Sequence, residues 1–209
     1  MTYLFDFDGT LVDSMPTFAS VMLRILDERG IKYGDDIVKT ITPLGYLGTA
    51  EHFVTLGAKE EKEDLVRLMR AYAKEAYETT VPLKDGVFDT LIKLRERGDS
   101  LNVLTASPHA LLDPCLKRLG IYSLFDNVWS SDDFGLPKST PQIYRFAARR
   151  LGCDVSEVIF VDDNVGAVRT AATAGMHAYG IYDDSSADSE GEMRGVAERY
   201  IKIFSELLS

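Results

Sequence analysis

The sequence predicts an α/β protein, a doubly wound parallel sheet interrupted by an all-helical insertion. Short apolar runs alternate with helix-like segments from about residue 87 to residue 182, which is typical of parallel strands covered by helices. A further apolar run, residues 3–8, stands at the start of the chain and stops at Gly9. Between Ser14 and Thr80 the pattern is helical, without a convincing strand, so the insertion follows the first strand.

The first half of the chain predicts one strand and then a helical block. Residues 3–8 are apolar and aromatic enough for a buried strand. Apolar side chains at helical spacing then predict helices over residues 16–29, 37–41, 46–56 and 60–77. Residues 13–15 and 81–85 connect this block to the rest. We therefore expect a core domain of residues 1–14 and 82–209, and a helical cap of residues 15–81.

The second half alternates between the two kinds of element. It predicts helices over residues 87–97, 108–119, 141–151 and 165–174, and strands over 101–104, 128–129, 158–161 and 177–182. Ser107 and Thr140 are the expected N-caps of the second and third of these helices. Residues 183–191 predict a polar, mobile loop, and residues 196–208 a final helix.

Composition narrows the classes of partner. Acidic residues outnumber basic ones by 33 to 23, which gives a formal charge of -10 and argues against nucleic-acid and anionic-membrane partners. The two cysteines show neither CxxC nor Cys/His spacing. No apolar run has the length of a membrane helix, and Asp6 comes too early for a signal peptide. We expect a cytoplasmic protein, a monomer or homodimer, without a nucleic-acid or membrane partner.

Polar residues stand where three predicted strands end. Asp6 and Asp8 follow the first strand, Thr105 follows the strand over 101–104, and Asp162 and Asp163 follow the strand over 158–161. Parallel strands bring their carboxyl ends to one edge of the sheet, where open α/β sheets bind ligands. These side chains are therefore expected to face one another.

Four carboxylates at one point repel unless a cation neutralises them or some become protonated. Ligands that are all oxygen favour a hard ion, and magnesium fits best. Lys138, just before Pro141, can reach the same edge. Taken singly, an Asp-x-Asp pair is more often a turn, and Asp162 and Asp163 before Asn164 are more often a helix cap. The joint pattern indicates a site with a nucleophile, a metal, a hydroxyl and a lysine.

Residues 6–14, Asp-Phe-Asp-Gly-Thr-Leu-Val-Asp-Ser, resemble the first motif of the haloacid dehalogenase-like hydrolases. Thr105, Lys138 and the pair Asp162 and Asp163 resemble the second, third and fourth motifs of that family, in the same order. The resemblance covers the chain from residue 4 to about residue 181. The cap and its linkers look most like those of phosphoglycolate phosphatases.

Two positions depart from the family pattern. Ser139 follows the lysine where members often have proline, and Ala106 follows Thr105 where Asn or Gly is frequent. The hydroxyl of Thr105 remains, and a backbone N–H at Ala106 does not depend on its side chain.

The resemblance implies a role for each carboxylate. Asp6 would attack phosphorus and form an aspartyl phosphate. Asp8 would protonate the leaving oxygen and then deprotonate the attacking water. Magnesium would be held by Asp6, the backbone carbonyl of Asp8 and Asp163, with Asp162 binding directly or through water.

Phosphate and substrate would be bound by other positions. The resemblance assigns the phosphate oxygens to Thr105, the Ala106 N–H and Lys138, with Gly9 and Thr10 beside them. Residues 42–49 form a Gly- and Pro-punctuated segment, which we expect to be a loop facing the active site. An ordinary connection between helices is the alternative. The substrate contacts expected there are Gly45, Tyr46 and Thr49.

Three functions remain open at this point. A magnesium-dependent phosphatase acting on a small phosphate monoester, such as phosphoglycolate or a sugar phosphate, is favoured because dehalogenase members lack an Asp at the position of Asp8. A sugar phosphomutase shares the same core and cap. A non-catalytic phospho-acceptor also uses carboxylates, Thr and Lys on a doubly wound sheet, but such domains are shorter and have no cap.

Overall fold

The computed structural model describes residues 1–209, apart from the side chain of Pro43. The chain divides into two compact units. The sheet unit is Met1–Asp13 together with Pro82–Ser209, and the helical unit is Ser14–Val81. The helical unit enters the chain directly after the first strand, as the sequence predicts.

The sheet unit is built on six parallel strands: β1 (Thr2–Phe5), β2 (Ser100–Thr105), β3 (Asn127–Ser130), β4 (Val158–Asp162), β5 (His177–Ile181) and β6 (Arg199–Ile201). Their order is β3-β2-β1-β4-β5-β6. The chain moves outward from β1 to β3 and then returns to place β4 against the other side of β1. The predicted doubly wound α/β fold is confirmed, and its topological switch point lies between β1 and β4.

The described part of the chain contains nine α-helices. The helical unit contains α1 (Met15–Asp27), α2 (Ile37–Ile41), α3 (Gly45–Thr55) and α4 (Lys62–Thr79). The sheet unit contains α5 (Val87–Glu96), α6 (His109–Arg118), α7 (Pro141–Leu151), α8 (Val165–Ala174) and α9 (Glu190–Val196). None of these described helices combines the length and the apolar content that a membrane span needs.

The helical unit has a core of its own. Helix α1 buries residues at a spacing of three and four, among them Met22, Ile25 and Leu26. Helix α4 buries Leu65 and Met69 in the same way. Each such side chain contributes about 1.5–3 kcal/mol when it leaves water. Amphipathic spacing is therefore what makes residues 14–81 fold as helices.

The end of the chain differs from its prediction. Residues 196–208 do not form a helix: they supply β6 and a 3-10 helix, Phe204–Leu208. The backbone of β5 needs hydrogen-bonding partners, and pairing along β5 outweighs the local helical pattern. Phe204 is buried, with its ring 5.5 Å from that of Phe5. The loop predicted over residues 183–191 is also wrong, since a 3-10 helix, Asp184–Ser189, leads directly into α9.

The segment over residues 42–49 is a third correction, because it is helical and not a loop. A 3-10 helix, Thr42–Leu44, runs into α3, and Gly45 adopts a φ of 63° at their junction. The side chain of Pro43 lies outside what the structure describes. Thr49 is buried, and its hydroxyl donates to the carbonyl of Ile41 at 3.3 Å. The Tyr46 ring lies 6.0 Å from that of Phe18 within the same helical unit.

Candidate active site

The predicted nucleophile lies at the switch point of the sheet. Asp6 follows the last residue of β1, and its N–H donates to the Val161 carbonyl of β4 at 2.9 Å. This bond extends the ladder by one residue and fixes the direction of the side chain. Asp6 is 6% exposed, and Asp162, the last residue of β4, is fully buried. Two buried carboxylates therefore flank the point where this fold class binds ligands.

Lys138 joins these two carboxylates. Its Nζ lies 2.5 Å from Oδ1 of Asp6 and 2.6 Å from Oδ2 of Asp162. The hydroxyl of Tyr144, on α7, donates to the Lys138 carbonyl at 3.0 Å and holds the loop that carries the lysine. Burial opposes the charge on Lys138, but the carboxylates of Asp162 and Asp6 outweigh it and raise its pKa. The lysine is a permanent cation at the sheet edge.

One lysine does not neutralise this site. Asp6, Asp162 and Asp163 each offer a carboxylate oxygen, and these oxygens all lie within 4.8 Å of one another. Burial raises the pKa of Asp6 to about 7, with Asp162 and Asp8 adding to the effect and Lys138 opposing it. Burial, followed by the charges of Asp162 and Asp6, also raises the pKa of Asp163. This buried, all-oxygen donor set fits a hard divalent cation.

The turn after Asp8 holds Asp163 in place. Thr10 is fully buried, and its hydroxyl donates to Oδ1 of Asp163 at 3.1 Å while accepting the Asp163 N–H at 3.2 Å. Gly9 has a φ of 75°, and a Cβ there would lie 2.6 Å from Oδ2 of Asp163. Only glycine fits here, because any Cβ would clash with the Asp163 carboxylate and the positive φ disfavours other residues. The hydroxyl of Thr10 therefore orients Asp163, and its phosphate contact, which the resemblance implies, stays a prediction.

Thr105 and Ser107 connect the end of β2 to the end of β1. Thr105 is 1% exposed, and its Oγ1 accepts the Ser107 N–H at 3.0 Å. An oxygen that accepts in this way still carries a hydrogen that it can donate to a phosphate oxygen. Ala106, between them, is exposed. The prediction that Ser107 caps α6 is wrong, because the N-cap is Pro108. The Ser107 hydroxyl instead donates to Oδ2 of Asp8 at 2.5 Å.

Sequence reasoning also misses Lys84, in the second linker. Its Nζ donates to the Gly9 carbonyl at 2.7 Å, the Tyr182 carbonyl at 2.7 Å and Oδ2 of Asp183 at 2.8 Å. The three bonds tie the turn after Asp8 to the end of β5. Asp183 is 5% exposed, and burial opposes its charge, but hydrogen bonds from Lys84 and Ser185 lower its pKa overall. A Lys in a linker gives no signal of these long-range partners in the sequence.

Removing this lysine is expected to destabilise the sheet unit. Lys84→Met leaves Asp183 buried without its cation and should lower the free energy of unfolding by about 1–3 kcal/mol. Urea denaturation measures this loss. The double variant Lys84→Met/Asp183→Asn should recover part of it, because the unpaired charge is gone. A double variant no more stable than Lys84→Met would contradict the ion-pair explanation.

Comparison with known proteins identifies the family of this chain. The family model for haloacid dehalogenase-like hydrolases matches residues 3–181, and the chain belongs to that family. A pyrophosphatase PpaX from Bacillus velezensis is 32% identical, over 85% of this chain and 81% of the relative. A phosphoglycolate phosphatase from Pseudomonas putida is 28% identical, over 85% of this chain and 68% of that protein.

The fold has solved counterparts as well. A structure assigned as a β-phosphoglucomutase, from Thermotoga maritima, superposes with a TM-score of 0.89 at 22% identity, covering 99% of this chain and 97% of the other. At that identity the likeness establishes the fold alone. The predicted resemblance to the hydrolase family is confirmed, and the enzyme is a hydrolase.

Proposed function

We propose that the protein is a magnesium-dependent phosphatase that hydrolyses a small phosphate monoester through an aspartyl phosphate on Asp6. The observation that carries the proposal is the placement of Asp6, which is buried at the switch point and held by Lys138 beside two further carboxylates. The named phosphatases among its relatives support the same reaction class. In this proposal residues 1–14 and 82–209 are the catalytic core, and residues 15–81 are a cap that selects the substrate.

Magnesium fits the donor set of the site. Carboxylate oxygens of Asp6, Asp162 and Asp163, together with the backbone carbonyl of Asp8, would hold it. When bound, the ion neutralises charge between the carboxylates and the phosphate.

In the first step, a carboxylate oxygen of Asp6 forms a bond to phosphorus as the bond to the leaving oxygen breaks. The carboxyl group of Asp8 gives its proton to that leaving oxygen, which departs as an alcohol. Lys138, the Thr105 hydroxyl and the backbone N–H of Ala106 bind the phosphate oxygens and stabilise their charge. The fixed lysine and hydroxyl mean that this stabilisation needs little rearrangement during transfer.

In the second step, Asp8 is a carboxylate and takes a proton from a water molecule. The water oxygen bonds to phosphorus as the bond to Asp6 breaks, which releases inorganic phosphate and restores the Asp6 carboxylate. Asp8 regains the proton that it needs for the next cycle. Asp6 thus forms the covalent bond to phosphorus, and Asp8, two positions later, transfers the protons.

Phosphate release from a panel of small phosphoesters, with and without magnesium, tests the function. Release that requires magnesium is expected, and its absence on every ester would contradict the phosphatase. A sugar phosphomutase would instead isomerise a sugar phosphate faster than it releases phosphate, and would need a bisphosphate activator. A phospho-acceptor would keep its aspartyl phosphate for minutes after treatment with a small phosphodonor.

Magnesium should stabilise the fold more strongly as pH rises. A carboxyl with a raised pKa adds stability below its unfolded pKa, and that stability is lost as pH rises through the folded value, about 7 for Asp6. The metal replaces the protons lost in this range. We expect the increase in melting temperature caused by magnesium to be larger at pH 8 than at pH 5. An increase that is independent of pH would contradict binding at these carboxylates.

A further inference from the structure

We infer that Ser107 is a positioning residue for Asp8, which orients its carboxyl group and stabilises the carboxylate formed when the proton passes to the leaving oxygen. The inference rests on the proposed phosphatase function and adds a residue to its machinery. Its first support is the hydrogen bond from Ser107 Oγ to Asp8 Oδ2 at 2.5 Å. This bond joins residues 99 positions apart, in the segments that follow two neighbouring strands, β1 and β2.

The local backbone keeps the Ser107 hydroxyl directed at Asp8. The Ser107 N–H is fixed on Oγ1 of Thr105, and Pro108 follows with a φ of -71° and an extended ψ of 152°. Proline allows little change in φ and also restricts the residue before it. Helix α6 begins only at His109 and receives no side-chain cap bond. A Ser just before a helix ordinarily caps it, so its engagement with a carboxylate on another strand is a long-range feature.

The bond has a chemical consequence in the first step. The proton leaves Asp8 for the leaving oxygen as the bond from phosphorus to that oxygen breaks and the bond from phosphorus to Asp6 forms. Asp8 then carries a negative charge, and a hydrogen bond to an ionised group is shorter and about twice as strong as a neutral one. The Ser107 hydroxyl therefore stabilises the proton-transfer product more than the reactant, which lowers the barrier to that transfer.

How much the reaction gains from the Ser107 hydrogen bond depends on whether the leaving group needs a proton from Asp8. A nitrophenolate departs readily without a proton, whereas an alkoxide of high pKa needs one in the transition state. Loss of Ser107 should therefore be costly for alkyl phosphates and nearly neutral for activated aryl phosphates. A residue that only binds phosphate or supports the fold would affect both classes equally.

The experiment compares kcat/KM for 4-nitrophenyl phosphate, phenyl phosphate and glycerol phosphate at saturating magnesium. For Ser107→Ala we expect a loss of about 10-fold or more on glycerol phosphate and under about 3-fold on 4-nitrophenyl phosphate. Ser107→Thr keeps the hydroxyl and should restore most of the activity. Ser156→Ala is the matched control, since Ser156 Oγ donates to Asp154 Oδ1 at 2.6 Å before the amino end of β4.

The outcomes separate the inference from the function on which it rests. An equal loss on all three esters, or no loss on any of them, would overturn the role of Ser107 while leaving the phosphatase intact. No release from the unmodified protein on any ester would overturn the phosphatase and the inference together. Thermal unfolding of Ser107→Ala close to that of the unmodified protein, which we expect, excludes a fold defect as the cause of a selective loss.

Discussion

Asp6→Asn should lower phosphate release by at least about 10³-fold while leaving the protein folded. The amide keeps the shape of the side chain but provides no anionic oxygen to form the bond to phosphorus. Lys138 retains its second partner, because its Nζ also lies 2.6 Å from Asp162. Phosphate release at saturating magnesium, with the same esters for both proteins, measures the effect.

The same substitution should not destabilise the metal-free protein at pH 8. Burial raises the pKa of Asp6 to about 7, so its ionised form opposes folding at that pH, and asparagine removes the charge. Thermal unfolding without magnesium is expected to give an equal or higher melting temperature for Asp6→Asn. The control Asp89→Asn, at an exposed position on α5, should change neither activity nor stability appreciably. Residual release above about a tenth of the unmodified rate would rule out Asp6 as the nucleophile.

The sequence could predict the centre of the fold because local and long-range requirements agree there. Residues 158–161 are apolar and β-branched or aromatic, and β4 is buried along its whole length. Strands of a parallel sheet are buried on both faces, so polar side chains are tolerated mainly at the strand ends. Asp6, Asp162 and Lys138 all follow or end strands, and they therefore meet at the carboxyl edge of the sheet. These predictions used only strand ends and their order.

Elements that depend on distant partners could not be predicted in this way. Residues 196–208 have helical periodicity, yet Arg199–Ile201 pairs with β5 because that strand otherwise lacks a neighbour on one side. Ser107 has the sequence of a helix cap, but its hydroxyl contacts a carboxylate 99 residues away. Lys84 similarly donates to two carbonyls and a carboxylate, 75 to 99 residues distant. No local pattern specifies such contacts.

Lys138→Met should lower the free energy of unfolding by about 3–5 kcal/mol at pH 8 without magnesium. The substitution leaves the carboxylates of Asp6 and Asp162 buried without the cation that lies within 2.6 Å of both. Phosphate release should also fall sharply, because the lysine is the proposed partner of the phosphate oxygens. Urea denaturation and phosphate release measure the two effects on the same preparation. Lys138→Arg keeps the charge and should retain more stability, and Lys93→Met, exposed on α5, should have little effect.

The destabilisation by Lys138→Met should shrink as pH falls, and part of it should be reversed by a second substitution. With the cation gone, the buried carboxyl group of Asp6 binds a proton more readily, so its unpaired charge exists only above its raised pKa. The loss is therefore largest at pH 8 and smallest near pH 5. Lys138→Met/Asp6→Asn removes one of the two unpaired charges and should be more stable than Lys138→Met at pH 8. If Lys138→Met/Asp6→Asn is less stable than Lys138→Met at pH 8, the lysine stabilises the fold through packing against its neighbours and not through its charge.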